Sequence, residues 1–209
     1  MFVSIEGNIG SGKSSIIEYL KTINDNRFIF IDEPLKEWIE IKDKNGINAL
    51  ECFYCDQKKN SFCFQVLAYI TRLKNMIDAI NNNFDNKIII TERSIETDKN
   101  IFAKMLYDDD LISSIEWVTY NYWFDTFKNI ATIDKIIYIH ATPEKCFEQI
   151  KKRNRVEEAN ITLDYLKKCD NYHKQWISGA FNHITINGHD GIHNIRNEVI
   201  SILNNLNVV

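Results

Sequence analysis

Gly7-Asn8-Ile9-Gly10-Ser11-Gly12-Lys13-Ser14 puts three glycines, a lysine and two serines into eight residues of a chain with only 7 glycines in 209. The spacing GxxxxGK[ST] is that of a phosphate-binding loop. Glycines let the backbone curl until successive N–H groups converge on one point, and with no Cβ nothing blocks an approaching phosphate. A helix starting near Lys13 would add the positive end of its dipole. The Lys13 ammonium has the reach for β- and γ-phosphates, and the Ser14 hydroxyl is a ligand for Mg²⁺. Gly7, Asn8, Ile9, Gly10, Ser11, Gly12, Lys13, Ser14 and Ser15 are therefore the expected cradle for the phosphates of ATP. A plain glycine turn would share the composition; the apolar run before it and the helical spacing after it supply the context that the motif demands.

Two acids stand where apolar runs stop, in Asp32-Glu33-Pro34 and in Glu92-Arg93-Ser94. Pro34 biases Glu33 toward extended backbone, and a carboxylate held there can accept a proton from an attacking hydroxyl. Arg93 is charged at every relevant pH. It can hold the reacting oxygen and the base in line and offset charge on a transferred phosphoryl group. Singly, Glu33 reads as a solvated turn acid, Glu92 as an acid at a helix start and Arg93 as half of an Arg–Glu pair inside the fold. Two acids at two strand ends beside a phosphate loop read as a site.

The elements that must position these groups follow from periodicity. Short apolar runs rich in Ile, Val, Phe and Tyr at 2–6, 28–32, 87–91, 135–140 and 183–187 read as strands covered on both faces. Helical spacing occupies 14–22, 62–81, 111–129, 143–152 and 163–176. Alternation of the two implies a parallel sheet with helices on both faces, an α/β fold. In such a sheet ligands sit beyond the carboxyl ends of the strands, where Glu33 and Glu92 fall.

A hydrophobic content of 44% and an aromatic content of 12% fit a folded globule, and the length fits one domain over 1–209. A net charge of −4 argues against a protein whose main task is neutralising a nucleic acid backbone. The start MFVSIEGN has no signal-peptide pattern, and no window reaches bilayer-spanning length. Five cysteines, an odd count, suggest reduced thiols in the cytoplasm. Cys52 and Cys55 have CxxC spacing but no second pair or nearby histidine, so they read as small core residues.

Taken in order, EGNIGSGKS at 6–14, EPLKEW at 33–38, a Tyr54-centred segment, FQ at 64–65, ERS at 92–94, RNRVEE at 153–158 and YLKK…W at 165–176 resemble the deoxynucleoside kinase family. The resemblance covers roughly the first 176 residues. It implies a P-loop kinase fold with a five-stranded parallel sheet and a short arginine-containing lid at about 150–160. ATP with Mg²⁺ would be the donor and a deoxynucleoside the acceptor, with no nucleic acid or membrane partner. Glu33 would be the general base for the 5′-hydroxyl. Arg93 would steer that hydroxyl, and Glu92 would help Ser14 hold Mg²⁺. Tyr54 and Glu158 would bind the sugar 3′-hydroxyl and Gln65 the base edge. Phe64 and Phe102 would sandwich the base, Trp38 would wall the pocket, and Arg153 and Arg155 would close over phosphates. The family usually dimerises through packed helices, for which the aromatic-rich 117–127 is a candidate; it equally suits core packing.

The residues themselves leave some of this open. Gln65, Ala68 and Arg72 share one helical stripe, which alone suggests a solvent edge. For Phe64 and Phe102 ordinary core packing competes. Arg72 and Asp98 match positions where deoxycytidine and deoxyguanosine kinases carry Arg and Asp and where thymidine-accepting relatives are apolar. Such a pair beside Ala68 would crowd a thymine methyl, favouring deoxycytidine or purine deoxynucleosides. One departure stands out: the family's further arginine before the lid is Gln149 here, with Lys151 or Lys152 as substitutes. For the donor's adenine, 187–191 is the candidate stretch. Competing readings are a nucleoside monophosphate kinase such as thymidylate kinase and a non-catalytic nucleotide-binding module. A GTP switch is disfavoured because Asn86-Lys87 lacks the following Asp.

Overall fold

The computed structural model of the chain describes residues 1–83, 85, 87–155 and 158–206. The β-branched and aromatic runs form β1 (Phe2–Glu6), β2 (Phe28–Ile31), β3 (Ile88–Glu92), β4 (Lys135–His140) and β5 (His183–Asn187). They pair all-parallel in the order β2-β3-β1-β4-β5. Ile5 of β1 pairs with Glu92 of β3 and with Ile137 of β4, so β1 and β3 end within one residue of each other and release their loops at one edge, while β4 runs on to His140. The chain leaves β1 toward β2 and β3 and later crosses to β4. The crevice this switch opens is where such sheets bind ligands.

Helices α1 (Lys13–Thr22) and α10 (Ile192–Asn204) cover one face. Ile16, Ile17 and Leu20 meet Val3, Ile5, Ile90, Ile139, Ile195 and Val199 there in one apolar cluster. The other face carries α4 (Gln57–Asn81), whose Tyr69, Leu73 and Met76 pack with Phe2 and Ile89. It also carries α7 (Ser114–Phe127), through Tyr120 and Phe124, and α9 (Leu163–Gly179), through Ile177 against Ile136 and Tyr138. The chain between β4 and α9 forms α8 (Pro143–Arg153), whose Pro143 sits in the first turn behind a Thr142 cap.

Several elements depart from the sequence reading. β5 is an edge strand with only Ile186 buried, so it is not covered on both faces. α4 starts five residues earlier than expected, because the Asp56 side chain accepts from the Lys59 N–H and caps it. The stretch expected as one helix over 111–129 holds α7 between a Ser113/Glu116 capping box and a 3₁₀ turn at Lys128–Ala131. Two short helices, α2 (Leu35–Glu40) and α3 (Ala49–Cys55), were not foreseen; under two turns, no period can show. After β3 the chain makes α5 (Ile95–Thr97), a π-helical turn over Asp98–Ala103 and α6 (Lys104–Asp108). Cys55 and Cys63 are exposed while Cys146 and Cys169 are buried, which corrects the reading of Cys55 as a core residue. No helix among the described residues is long and apolar enough to cross a membrane.

The loops at the sheet edge are tied together by Glu6, the last residue of β1, which is fully buried. Its carboxylate accepts from the hydroxyls of Ser4, Ser94 (2.8 Å) and Thr97 (2.5 Å). One side chain thus joins the start of the phosphate loop to the turn after β3. Glu6→Ala leaves three buried hydroxyls without their acceptor, so it should cost about 3 kcal/mol, read as a lower midpoint in urea unfolding. Ser4→Ala should cost well under half of that.

Candidate active site

The loop between β1 and α1 has the backbone that its glycines permit. Gly10 and Gly12 sit at φ 80° and 97°, in the region L residues avoid. A Cβ on Gly10 would come within 2.5 Å of the Cys146 carbonyl. The Asn8 carbonyl accepts from the Ser11 N–H and from Lys13 Nζ (2.9 Å). Asn8 Nδ2 donates to the Leu166 carbonyl at 2.8 Å, docking the loop on α9. Asn8 is buried, so it and Gly7 shape the loop, while Ile9 to Ser15 line the cleft in front of it. Burial, and then the neighbouring Arg93 charge, lower the Lys13 pKa to about 8.

Beside the loop, β3 delivers Glu92 and Arg93. Ser14 Oγ donates to Glu92 Oε1 at 2.8 Å. Burial raises the Glu92 pKa, with the Glu33 charge adding to it. Arg93 Nη1 donates to Glu33 Oε1, while its Nε and Nη2 are buried without partners among the described residues. Arg72 reaches up from α4: Nε donates to Asp98 Oδ2 at 2.9 Å, Nη1 to the Glu92 carbonyl at 2.7 Å, and Nη2 lies 3.6 Å from Glu33 Oε1. Burial alone would raise the Glu33 pKa, but Arg93, Arg72 and Lys13 outweigh it and hold the group at about 2. The carboxylate is therefore ionised at any working pH.

Two cavities meet here. The first is lined by Glu33, Trp38, Tyr54, Phe64, Gln65, Ala68, Arg72, Arg93, Asp98, Phe102 and Glu158, every residue expected to touch an acceptor. Its aromatic wall is ordered by contact: Phe64 stacks on Phe53 at 4.7 Å, Trp38 meets Phe64 edge-on at 5.3 Å, and Trp38 Nε1 donates to Thr71 Oγ1. The Arg93 guanidinium lies 5.2 Å from the Phe102 ring. Gln65 and Arg72 are 3% and 1% exposed, so the stripe is interior and the solvent-edge reading falls. The Gln65 amide oxygen is buried without a partner among the described residues.

The second cavity is the cleft of the phosphate loop. It also takes in Ser14, Glu92, Arg93, Arg153, Arg155 and the turn Gly188 to Gly191. Gln149 and Lys152 line it, whereas Lys151 lies over the Phe147 ring at 4.2 Å. Of the two lysines expected to make up for the missing arginine, only Lys152 therefore faces the cleft. Ile9, Glu33, Arg93, Arg155 and Glu158 line both cavities. The charges differ sharply: three cations and three carboxylates line the first cavity, seven cations and four carboxylates the second.

These findings match comparison with known proteins. The family model described as deoxynucleoside kinase matches residues 3–207. The chain belongs to the deoxynucleoside kinase family. It is 38% identical to a probable deoxycytidine kinase of fowlpox virus, over 98% of this chain and 86% of that protein. It is 34% identical to bovine deoxycytidine kinase over 84% and 74% of the two chains. With the mitochondrial deoxyguanosine kinase of Xenopus laevis it shares 32% identity over 97% and 80%. The chain is thus an ATP-dependent kinase acting on deoxynucleosides in nucleotide salvage.

The two arginines expected in the lid pair with one acid. Arg153 ends α8, and its Nε donates to Glu158 Oε2 at 3.0 Å; Arg155 Nη1 lies 3.9 Å from Glu158. Val156 and Glu157, within the expected lid, lie outside the described residues, as do Asn86 of the GTP comparison and 207–209. Sequence reasoning missed Leu35, Leu50, Phe53 and Tyr165 in the first cavity and Lys145 and Arg196 in the second, whereas His189 falls within the stretch 187–191 that it had singled out. Phe53 had no local signal, since its part comes from stacking on Phe64.

Proposed function

We propose that this kinase phosphorylates the 5′-hydroxyl of deoxycytidine or a purine deoxynucleoside in preference to thymidine, with Glu33 as the group that accepts the hydroxyl proton. The observation that carries the reading is the charge balance of the acceptor cavity. With three cations against three carboxylates, it suits an uncharged nucleoside; a monophosphate acceptor would meet no cationic surplus. That disfavours a nucleoside monophosphate kinase. Arg72 and Asp98 form a charge-assisted pair on that wall, which suits a base edge carrying both donors and acceptors. The relatives named for deoxycytidine and deoxyguanosine support the same choice.

In this reading Phe64 and Phe102 flank the base, Gln65 reads its edge with the otherwise unpartnered amide oxygen, and Tyr54 and Glu158 take the sugar 3′-hydroxyl. Arg93 lines both cavities beside Glu33, and its Nε and Nη2, unpartnered among the described residues, can donate to the transferred phosphoryl. Lys13, Arg153, Arg155 and the loop N–H groups disperse phosphate charge. Ser14 Oγ and the Glu92 carboxylate, 2.8 Å apart, are hard oxygen donors that fit Mg²⁺, which typically takes one or two carboxylates plus substrate phosphates. When bound, that ion would supply charge neutralisation at the phosphates. A carboxylate with a pKa of about 2 is a weak base. Its part is chiefly to orient the hydroxyl and take its proton late, in keeping with a loose phosphoryl-transfer transition state. Glu33→Gln should lower kcat on the order of a hundredfold with KM values near those of the unmodified enzyme. Glu33 is ionised throughout the working range, so kcat/KM should not fall between pH 8 and pH 5 through this group. It should fall above about pH 8, where Lys13 loses its proton. Undiminished turnover by Glu33→Gln would remove Glu33 from the mechanism. On a panel of deoxynucleosides with ATP, thymidine should rank last in kcat/KM; thymidine ranking first would reverse the proposed base preference.

A homodimer is favoured by one surface. Ile115, Val118 and Tyr122 of α7 are 71%, 62% and 74% exposed and fall at i, i+3 and i+7 on one side of the helix. Buried Tyr120 and Phe124 turn inward, so the segment serves core and surface together. Light scattering should give twice the chain mass, and Tyr122→Glu should give the chain mass.

A further inference from the structure

Arg196 is a cation that the mechanism above does not use. It lies on α10 next to buried Ile195, and its side chain lines the donor cleft. Its guanidinium carbon sits 4.3 Å from the centre of the Tyr19 ring on α1. Stacking of this kind fixes the plane of the fork and leaves its edge free to donate. Nε is buried with no hydrogen-bond partner, and no carboxylate pairs with the side chain among the described residues. The other arginines of the cleft differ: Arg93 is paired with Glu33, and Arg153 and Arg155 with Glu158. Burying an N–H of a charged group without a partner is costly. Arg196 is thus held in place by an aromatic face with its hydrogen-bonding capacity unspent.

Its position along α1 says which part of a donor it meets. The loop and Lys13 at the start of α1 take the terminal phosphates. Ser15 lines the same cleft, and Tyr19 is four residues on, about 6 Å farther from the loop along the helix axis. Around Arg196 the wall consists of the Gly188 to Gly191 turn with Ile192 and Ile195. Gly188 is packed so closely that a Cβ would lie 2.7 Å from the His140 carbonyl. Gly188, Gly191, Ile192 and Ile195 leave little side-chain relief beside His189 and Asp190 on this wall, a surface suited to a flat ring. A guanidinium only donates, so its ligand must offer acceptors, as sugar oxygens and base ring nitrogens or carbonyls do.

We propose that Arg196, braced on Tyr19, binds the sugar–base portion of the donor nucleoside triphosphate and makes the site prefer a nucleotide to a bare polyphosphate. The proposal rests on the donor-cleft reading given above. Calorimetric titration of the full chain with Mg–ATP and with Mg–tripolyphosphate separates the two. Arg196→Ala should weaken ATP binding on the order of tenfold, as loss of one charged hydrogen bond would, while tripolyphosphate affinity stays within about twofold. Steady-state kinetics should show the KM for ATP rising with kcat unchanged. Tyr19→Ala should move ATP affinity the same way, and Tyr19→Phe, which keeps the ring, should not. If Arg196→Ala fails to fold, judged by thermal unfolding, Arg196→Gln serves for the same comparison. Equal weakening of ATP and tripolyphosphate would make Arg196 a phosphate ligand and overturn the proposal; so would unchanged ATP affinity. Failure of the unmodified enzyme to bind either ligand would instead overturn the donor-cleft reading itself.

Discussion

Everything at the sheet edge depends on how a cluster of charges is kept out of water. Lys13, Arg72, Arg93, Glu92 and Asp98 are buried, and Glu33 is 22% exposed. Each buried ion costs several kcal/mol in lost hydration, and removing one partner strands the other. Only mutual neutralisation makes the patch tolerable, so each group's position is set by its neighbours. Arg72 is the hub. Its fork holds Asp98 at 2.9 Å, the Glu92 carbonyl at 2.7 Å and Glu33 at 3.6 Å. One side chain from α4 therefore registers the π-turn, the end of β3 and the loop after β2 against one another. Glu33 gains its placement and its low pKa from the same two arginines.

Local backbone strain serves the same patch. Arg93 has φ 61°, a left-handed conformation costing roughly 1–2 kcal/mol for a residue with a Cβ. It persists because both backbone groups are pinned: its N–H donates to the Ile5 carbonyl at 3.1 Å, and its carbonyl accepts from Thr91 Oγ1 at 2.8 Å. The bend turns the guanidinium from the strand direction toward Glu33 and Phe102. Farther on, the π-turn has a similar effect. Asp98 and Phe102 are four residues apart; in an α-helix they would be offset by about 40°, and the wider π-turn brings them nearer to one line. Both line the acceptor cavity.

What could be read from the residues alone follows from how local each feature is. The phosphate loop is legible because its chemistry lies in eight contiguous residues whose backbone shape glycine spacing dictates. The strands were legible because β1, β3 and β4 are buried on both faces, whereas the edge strands β2 and β5 broke the rule, with only Ile31 and Ile186 buried. Gln65 and Arg72 shared a stripe, but polarity could not say whether that stripe faced water or a buried polar site. Phe53 and the π-turn left no periodic trace, since stacking and a one-residue widening of a helix arise only in the packed structure. α10 is different: Ile192, Ile195, Val199 and Leu203 recur at helical spacing, yet the sequence reading passed over the helix and with it the cation it carries into the cleft.

The two cavities divide the labour through charge, not shape alone. The chain as a whole is anionic, at −4, and a polyanion approaching it is repelled on average. The cleft in front of the phosphate loop reverses that locally with seven cations against four carboxylates, concentrating positive potential where an anionic ligand would enter. Glu158 sits on the seam, lining both cavities and paired with Arg153 and Arg155. Any phosphate in the cleft competes with this carboxylate for the two arginines. The seam between the two cavities is therefore held by the same pairing of opposite charges that fixes Glu33.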